Sequence, residues 1–223
     1  MRNLFLVRHG ESEGNVNRVL HQTVADHAIP LSCTGRNQAG HAGEFFGNWW
    51  HDGFGARKVP ESRPRVWVSP YKRTRDTATY FMAGAGRDLF LDVREHVLLC
   101  EQRFGLFDGI PEDELPVRYP QEHAYYQKCL EHGGQFWAPM PLGESRFDVA
   151  TRVHQAFGTF HRDADRHGVE NIVVVAHGTT IRAFVMMWCH KPYEWFEDEP
   201  NPKNCSIRWI EGSTDRGYIY EGS

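Results

Sequence analysis

The sequence predicts an α/β fold: three layers, α/β/α, with a mostly parallel central sheet and a small insertion over the sheet. Three observations predict it. Short apolar runs alternate with longer amphipathic stretches along the chain. The best of those runs, at 4–7 and 172–176, are continuously apolar, as strands buried on both faces are. The 223 residues hold no internal repeat and no low-complexity linker, so the alternation reads as a single domain over 1–223.

The elements follow in order. LFLV, at 4–7, is a strand. Residues 34–50 are a helix, with Thr34 as N-cap and Ala39, Ala42, Phe45, Phe46 and Trp49 at helical spacing. PRVWVSP, at 64–70, is a second strand stopped by Pro70, and YKRTRDTATYFMA continues as a helix. HVLLC, at 96–100, reads as a short strand. Residues 101–143 carry Gly, Pro and many aromatics, with one helical piece near 113–131, and are the insertion. Residues 144–168 form a long helix capped by Ser145, with Val149, Val153, Ala156, Phe157 and Phe160 as its apolar stripe. NIVVVAHG, at 171–178, is the clearest strand; a helix runs on to about Cys189, and CSIRWIE at 205–211 is the last strand. The aromatic stretch 188–211 leaves open a homodimer contact or a cover for the core.

Bulk properties exclude several classes. Net charge is −4, from 25 basic and 29 acidic residues, which does not suit a nucleic-acid or membrane-surface binder. Any affinity for anions must be local. No apolar stretch approaches the roughly 20 residues of a membrane span. No basic start followed by an apolar run marks a signal peptide, so a cytoplasmic protein is expected. The five cysteines are scattered and never spaced C-x-x-C, which predicts reduced thiols and no zinc site. His21, His27, His51 and His132 sit in polar surroundings and read as surface residues.

The strand ends carry the chemistry. In open α/β sheets ligands bind at the carboxyl ends of the strands. The first strand ends in Arg8-His9-Gly10, the second runs into Ser69, Pro70 and Arg73, 96–100 runs into Glu101, and 171–176 runs into His177-Gly178. Two guanidiniums can grip a phosphoryl group by paired charge-assisted hydrogen bonds. A neutral imidazole can attack phosphorus if its other nitrogen is held by an acceptor. A carboxylic acid can protonate the leaving alkoxide, and a second imidazole can donate to the phosphoryl oxygens. Helix N-termini after Gly10 and Gly178 would add backbone donors. This set needs no metal and no cofactor. Lys72 and Arg75 read as surface charge, Glu95 is a weaker competitor for the role of Glu101, and Asn15 alone would pass for a turn residue.

Together, LVRHGESEGN (6–15), VSPYKRTRDTA (68–78), EQRFG (101–105), GES (143–145) and VVVAHGTTIR (173–182) resemble the histidine phosphatase superfamily, also called the phosphoglycerate mutase-like family. The resemblance spans the chain. It implies that His9 is a nucleophile that becomes phosphohistidine, that Arg8, Asn15, Arg73 and His177 hold the phosphoryl group, and that Glu101 is the proton donor. Gly178 and Thr179 are implied as backbone contacts. The implied partner is a small phosphorylated substrate.

Family mutases typically carry a lysine soon after the E-R-x-Y-G motif and then a pair of arginines. Here Glu112 stands where that lysine is expected, with Asp113 and Glu114 behind it, and Arg118 has no adjacent arginine. Tyr71 and Phe104 depart from the mutase pattern too. An acidic stretch there repels a doubly anionic phosphoglycerate. A phosphatase is therefore expected, with mutase-type transfer or an inactive binding member as the other readings. The aromatics Phe104, Phe107, Tyr125, Tyr126, Phe136 and Trp137 are expected to pack the insertion.

Overall fold

A computed structural model describes residues 2–52 and 63–223. Six strands form one sheet in the order β3-β2-β4-β1-β5-β6. They are β1 (Asn3–Arg8), β2 (Arg65–Val68), β3 (Val93–Glu95), β4 (Asn171–Ala176), β5 (Ile207–Glu211) and β6 (Thr214–Tyr220), and two short helices, α1 (Glu13–Val16) and α2 (Leu20–Thr23), follow β1. β1, β4, β2 and β3 run parallel, and β5 and β6 add an antiparallel edge.

The alternation of side chains along each strand explains the layers. Leu4, Leu6, Trp67, Ile172, Val174 and Ala176 face one core. There they meet α7 (Arg146–His167) and α8 (Gly178–Trp188) through Val149, Val153, Phe157, Phe160 and Phe184. Phe5, Val7, Val66, Val68, Val173 and Val175 face the other core, against α3 (Cys33–His51) and α4 (Lys72–Ala85) through Ala39, Phe46, Trp50, Ala78 and Phe81. Phe5, Phe46, Phe81, Phe160 and Phe184 are fully buried, each contributing about 1.5–3 kcal/mol of transfer free energy. α3 and α4 press backbone to backbone: a Cβ on Gly43 would lie 2.0 Å from the Phe81 carbonyl oxygen.

Several boundaries differ from the sequence reading. The cap of α3 is Ser32, whose hydroxyl accepts from Gly35 N, and Thr34 lies inside the helix. HVLLC is not a strand: the strand is β3, one step earlier, and Val97–Leu99 is a 3-10 turn. The His96 ring accepts from Leu98 N and curls the chain there, so only Leu99 is buried. The last strand begins at Ile207, and β6 follows it through a tight turn at Gly212-Ser213 with Gly212 at φ 62°. That turn and the aromatic-rich TDRGYIY are the hairpin signal in the sequence. A short helix α9 (Tyr193–Asp198) buries Phe196 in the first core.

Residues 101–143 fold as a 3-10 turn (Gly105–Phe107), α5 (Leu115–Arg118) and α6 (Pro120–Gly133). Phe107, Leu115, Tyr126 and Ala138 form their own small cluster. Phe136 belongs instead to the first main core, while Tyr125 and Trp137 are exposed. Ser145 caps α7 in a capping box with Asp148. All five cysteines are free thiols. Among the described residues no helix is long and apolar enough to cross a membrane.

Candidate active site

Strand register brings the expected residues together. Arg8 pairs with Ala176 across β1 and β4, so His9 and His177 stand one step beyond the same rung. Val68 pairs with Val175, which sets Ser69 beside them. His9 and His177 are 4 % and 0 % exposed, with ring centroids 5.2 Å apart. The turn after His9 is held tightly: Gly10 N donates to Thr77 Oγ1 at 3.1 Å, and Asn204 donates to the His9 carbonyl at 2.9 Å. A Cβ on Gly10 would meet the Gly35 carbonyl at 2.4 Å, so the N-terminal turn of α3 closes against it.

His9 Nδ1 lies 2.7 Å from the Gly10 carbonyl oxygen. A carbonyl only accepts, so Nδ1 carries the proton and Nε2 keeps its lone pair. Burial, then Arg73 and Arg8, holds the His9 pKa well below the ordinary histidine value. The ring is thus neutral, as a nucleophile must be. His177 is also held well below that value, by burial first and then by Arg73, His9 and other cations. Its Nε2 sits 2.9 Å from Ser69 Oγ.

The cations are arranged unequally. Arg8 Nη1 donates to the Pro202 carbonyl at 2.6 Å, while Arg8 Nε and His177 Nδ1 are buried with no protein partner. An orphaned buried donor costs about 1–3 kcal/mol until something accepts from it. Arg73 is gripped by Asp26: its Nη1 donates to the Asp26 carbonyl and carboxylate at 2.8 Å each, and Nη2 to the carboxylate at 3.2 Å. That uses three of the guanidinium's five donors and leaves two for a ligand. Asn15 is exposed at the cleft rim, with its Oδ1 accepting from Ser12 N in a capping box, which leaves its amide N–H groups to donate.

Glu101 is reached through the 3-10 turn and not off a strand end. Its Oε1 accepts from Gln102 N at 2.9 Å and from Thr180 N and Oγ1 at 3.3 Å each, and Oε2 accepts from Thr179 N at 3.4 Å. The N-terminus of α8, expected to donate to a phosphoryl group, is therefore directed at Glu101. Gly178 still belongs at the site for lack of a side chain: a Cβ would lie 2.9 Å from Asn201 Oδ1. Arg152 fixes this corner. It donates to the Leu98 carbonyl at 2.7 Å, to the Glu101 carbonyl at 3.0 Å, and to the Glu144 carboxylate. Glu95 pairs instead with Arg75 on the surface, and Lys72 pairs with Asp76.

A cleft of about 590 Å³ is lined by Arg8, His9, Asn15, Arg73, Glu101, Gly178 and Thr179; His177, fully buried, is not in its lining and meets the site through the His9 and Tyr71 rings. Sequence reasoning missed Asp26, His21 and Asp108, which line it too. His21 is not a surface residue: its Nδ1 lies 3.3 Å from Asp26 Oδ1 and 3.6 Å from Asp108 Oδ1. Asp26 stands in a 3-10 turn (Asp26–Ala28), and the two pairing cations hold its pKa down at about 2 despite burial. No periodicity marks these three residues; they meet only because two loops do. His27, His51 and His132 are exposed as expected.

His9 and His177 thus stand at the ends of β1 and β4, with Arg8 and Arg73 beside them and the Glu101 carboxylate brought in by the 3-10 turn. The profile of the histidine phosphatase superfamily (branch 1) matches residues 4–221. The chain belongs to the histidine phosphatase superfamily. The phosphoglycerate mutase-like protein AT74H of Arabidopsis thaliana is 34 % identical over 98 % of this chain and 77 % of its own. The broad-range acid phosphatase DET1 of Saccharomyces cerevisiae is 25 % identical over 94 % of this chain and 85 % of its own. Among solved structures, a mycobacterial glucosyl-3-phosphoglycerate phosphatase in complex with VO3 superposes with a TM-score of 0.72. It is 24 % identical and both chains are fully covered, so it shows the same fold. Superfamily membership and these relatives place the chain with phosphatase or phosphoglycerate mutase-like enzymes.

Proposed function

We propose that the chain is a phosphomonoester hydrolase acting through a phosphohistidine at His9, without a metal, on a small phosphorylated metabolite. The observation that carries the reading is the His9 ring: buried, neutral and tautomerically fixed by Gly10, facing the cleft with Arg8 and Arg73 and in ring contact with His177.

In the first half-reaction His9 Nε2 forms the N–P bond while the P–O bond to the alcohol breaks. Glu101 supplies the proton to the leaving oxygen, releasing its weaker contacts of 3.3–3.4 Å to do so. In the second half, Glu101 takes a proton from water, the water oxygen bonds phosphorus, the N–P bond breaks and inorganic phosphate leaves. Arg8, the two free donors of Arg73, and His177 stabilise the charge on the equatorial oxygens. Positioning and electrostatics supply most of the acceleration, since the groups on the floor of the cleft are buried and held by hydrogen bonds.

Glu112 lines the cleft where a mutase would need a cation, which favours water over a second hydroxyl as acceptor. The test is phosphate release from a panel of monoesters, with EDTA present, by wild type and His9→Ala. EDTA-resistant release that vanishes in the variant supports the reading. Interconversion of phosphoglycerates without net release makes it a mutase, and neither activity leaves a binding protein.

A further inference from the structure

We propose that a second pocket beside the cleft, built around Arg146 and Arg182, binds an oxyanion carried by the alcohol part of the substrate. The inference rests on the phosphatase reading above and narrows its substrate to monoesters with a second anionic group, a carboxylate or another phosphate.

The pocket holds about 170 Å³ and shares Phe104, Thr179 and Asn201 with the catalytic cleft, so the two adjoin. No acidic side chain lines it; its polar lining is Arg146, Arg182, Gln102, Gln135, Tyr126 and the shared Thr179 and Asn201. The catalytic cleft, by contrast, is lined by Asp26, Asp108 and Glu112 as well as Glu101. An anionic substituent is repelled from that lining and accepted by this pocket.

Neither arginine makes a direct ion pair among the described residues, although Glu197 acts on Arg146, and Glu101 and Glu199 on Arg182, from further off. Arg182, on α8, is 9 % exposed, and its guanidinium lies 4.5 Å from the Phe196 ring centroid; that of Arg146, the first residue of α7, lies 5.6 Å from the same ring. Two cations thus gather at one aromatic ring, and among the described residues neither is in an ion pair. The neighbouring acids are committed elsewhere: Glu197 accepts from Phe136 N, and Glu199 pairs with Arg208. Arg182 Nη1 donates to the carbonyls of Phe196 and Glu199 at 3.3 and 3.0 Å and so caps α9, while its Nε has no partner. That cap explains Arg182 in part, but not Arg146 beside it. Burial depresses both pKa values, and Arg146 depresses that of Arg182 further. An oxyanion between them would relieve the repulsion with charge-assisted hydrogen bonds.

The experiment compares esters that differ only in the second anion, using calorimetry on the full chain carrying His9→Ala so that nothing turns over. The carboxylate pairs are 3-phosphoglycerate against glycerol 3-phosphate, and 6-phosphogluconate against sorbitol 6-phosphate. The phosphate pair is fructose 1,6-bisphosphate against fructose 6-phosphate. In at least one pair the anionic member binds about tenfold more tightly, the scale of one charge-assisted contact. Adding Arg146→Gln brings that ratio towards one, and Arg146→Lys restores part of it. Which pair responds distinguishes carboxylate from phosphate, and the ratio cancels any general loss of folding. The inference is overturned if every ratio stays near one, or if a preference survives Arg146→Gln. Turnover of the same esters by wild type tests the phosphatase reading separately.

Discussion

The floor of the cleft is set by backbone ladders, whereas its walls are held by side-chain ion pairs. On the floor and buried beside it, Arg8, His9, Ser69 and His177 follow directly from β1, β2 and β4, and their positions are fixed by strand register. In the walls, Asp26, His21 and Asp108 come from two separate loops and find one another by charge. Register tolerates little change, because a shift of one residue turns every side chain to the opposite face. An ion-paired wall can lose one partner and keep the fold. Substitutions in the floor should therefore cost the chemical step, and those in the walls should alter affinity, pH response or stability.

The largest effect is expected at His9. His9→Ala removes the proposed nucleophile, so turnover of any ester should fall on the order of 10⁴-fold or more. Single-turnover trapping of a phosphoenzyme in wild type, absent in the variant, holds the floor to its assigned role. Turnover that persists would move the nucleophile elsewhere.

Glu101 lies between the two regimes. Glu101→Gln keeps the shape and most of the contacts with Thr179 and Thr180 but carries no proton to give. Release from an alkyl phosphate should fall about 10²–10³-fold, and from p-nitrophenyl phosphate far less, because its leaving group needs little protonation. Equal losses on both substrates would show that Glu101 only shapes the helix terminus.

Arg152 sharpens the comparison, since it does not line the cleft and acts through the Leu98 and Glu101 carbonyls and the Glu144 carboxylate. Arg152→Met frees the loop that bears Glu101, and about a tenfold loss is expected in kcat for alkyl phosphates with KM nearly unchanged. The Glu101→Gln background should hide that loss, because a displaced carboxylate matters only if it transfers protons. Additive losses in the double variant would make Arg152 a folding residue alone.

The same division between floor and walls explains how much of the molecule is legible in its sequence. Strand cores announce themselves by continuous apolar runs, and their ends are counted residue by residue, so Arg8, His9 and His177 are legible in VRHG and VVVAHG. The layers are legible for the same reason. Asp26 and His21 carry no such mark, because an acidic residue in a polar loop has the same local sequence whether it faces water or a buried arginine. The stretch 96–100 misleads because three apolar residues in a row fit a 3-10 turn as well as a strand, and the His96 ring decides between them. Glu101 is legible all the same, since it stands just past Cys100 whichever way that stretch folds. Arg146 and Arg182 stay silent: one opens a helix, the other sits within one, and only the tertiary fold brings both to Phe196.

The smallest expected effect tests the wall most directly. His21 faces Asp26 and Asp108, with Arg73 behind Asp26, and its pKa is raised, by the Asp26 hydrogen bond first and against the opposing effect of burial. A raised value means that the protonated ring stabilises the fold. That contribution is complete below the unfolded histidine value of about 6.5 and is lost as pH climbs through the folded value above it. Asp26, held at about 2, stays ionised throughout, and Asp108, the other acid facing the ring, is raised by burial. His21→Gln should therefore lower the Tm by about 2–4 °C near pH 5.5, a loss of about 1 kcal/mol for a chain of this size, and by much less near pH 8.5. Thermal denaturation of both proteins across that range reads the difference. A deficit that does not change with pH would mean that His21 fills space against Gly14 and nothing more, and the wall would then be held by packing and not by charge.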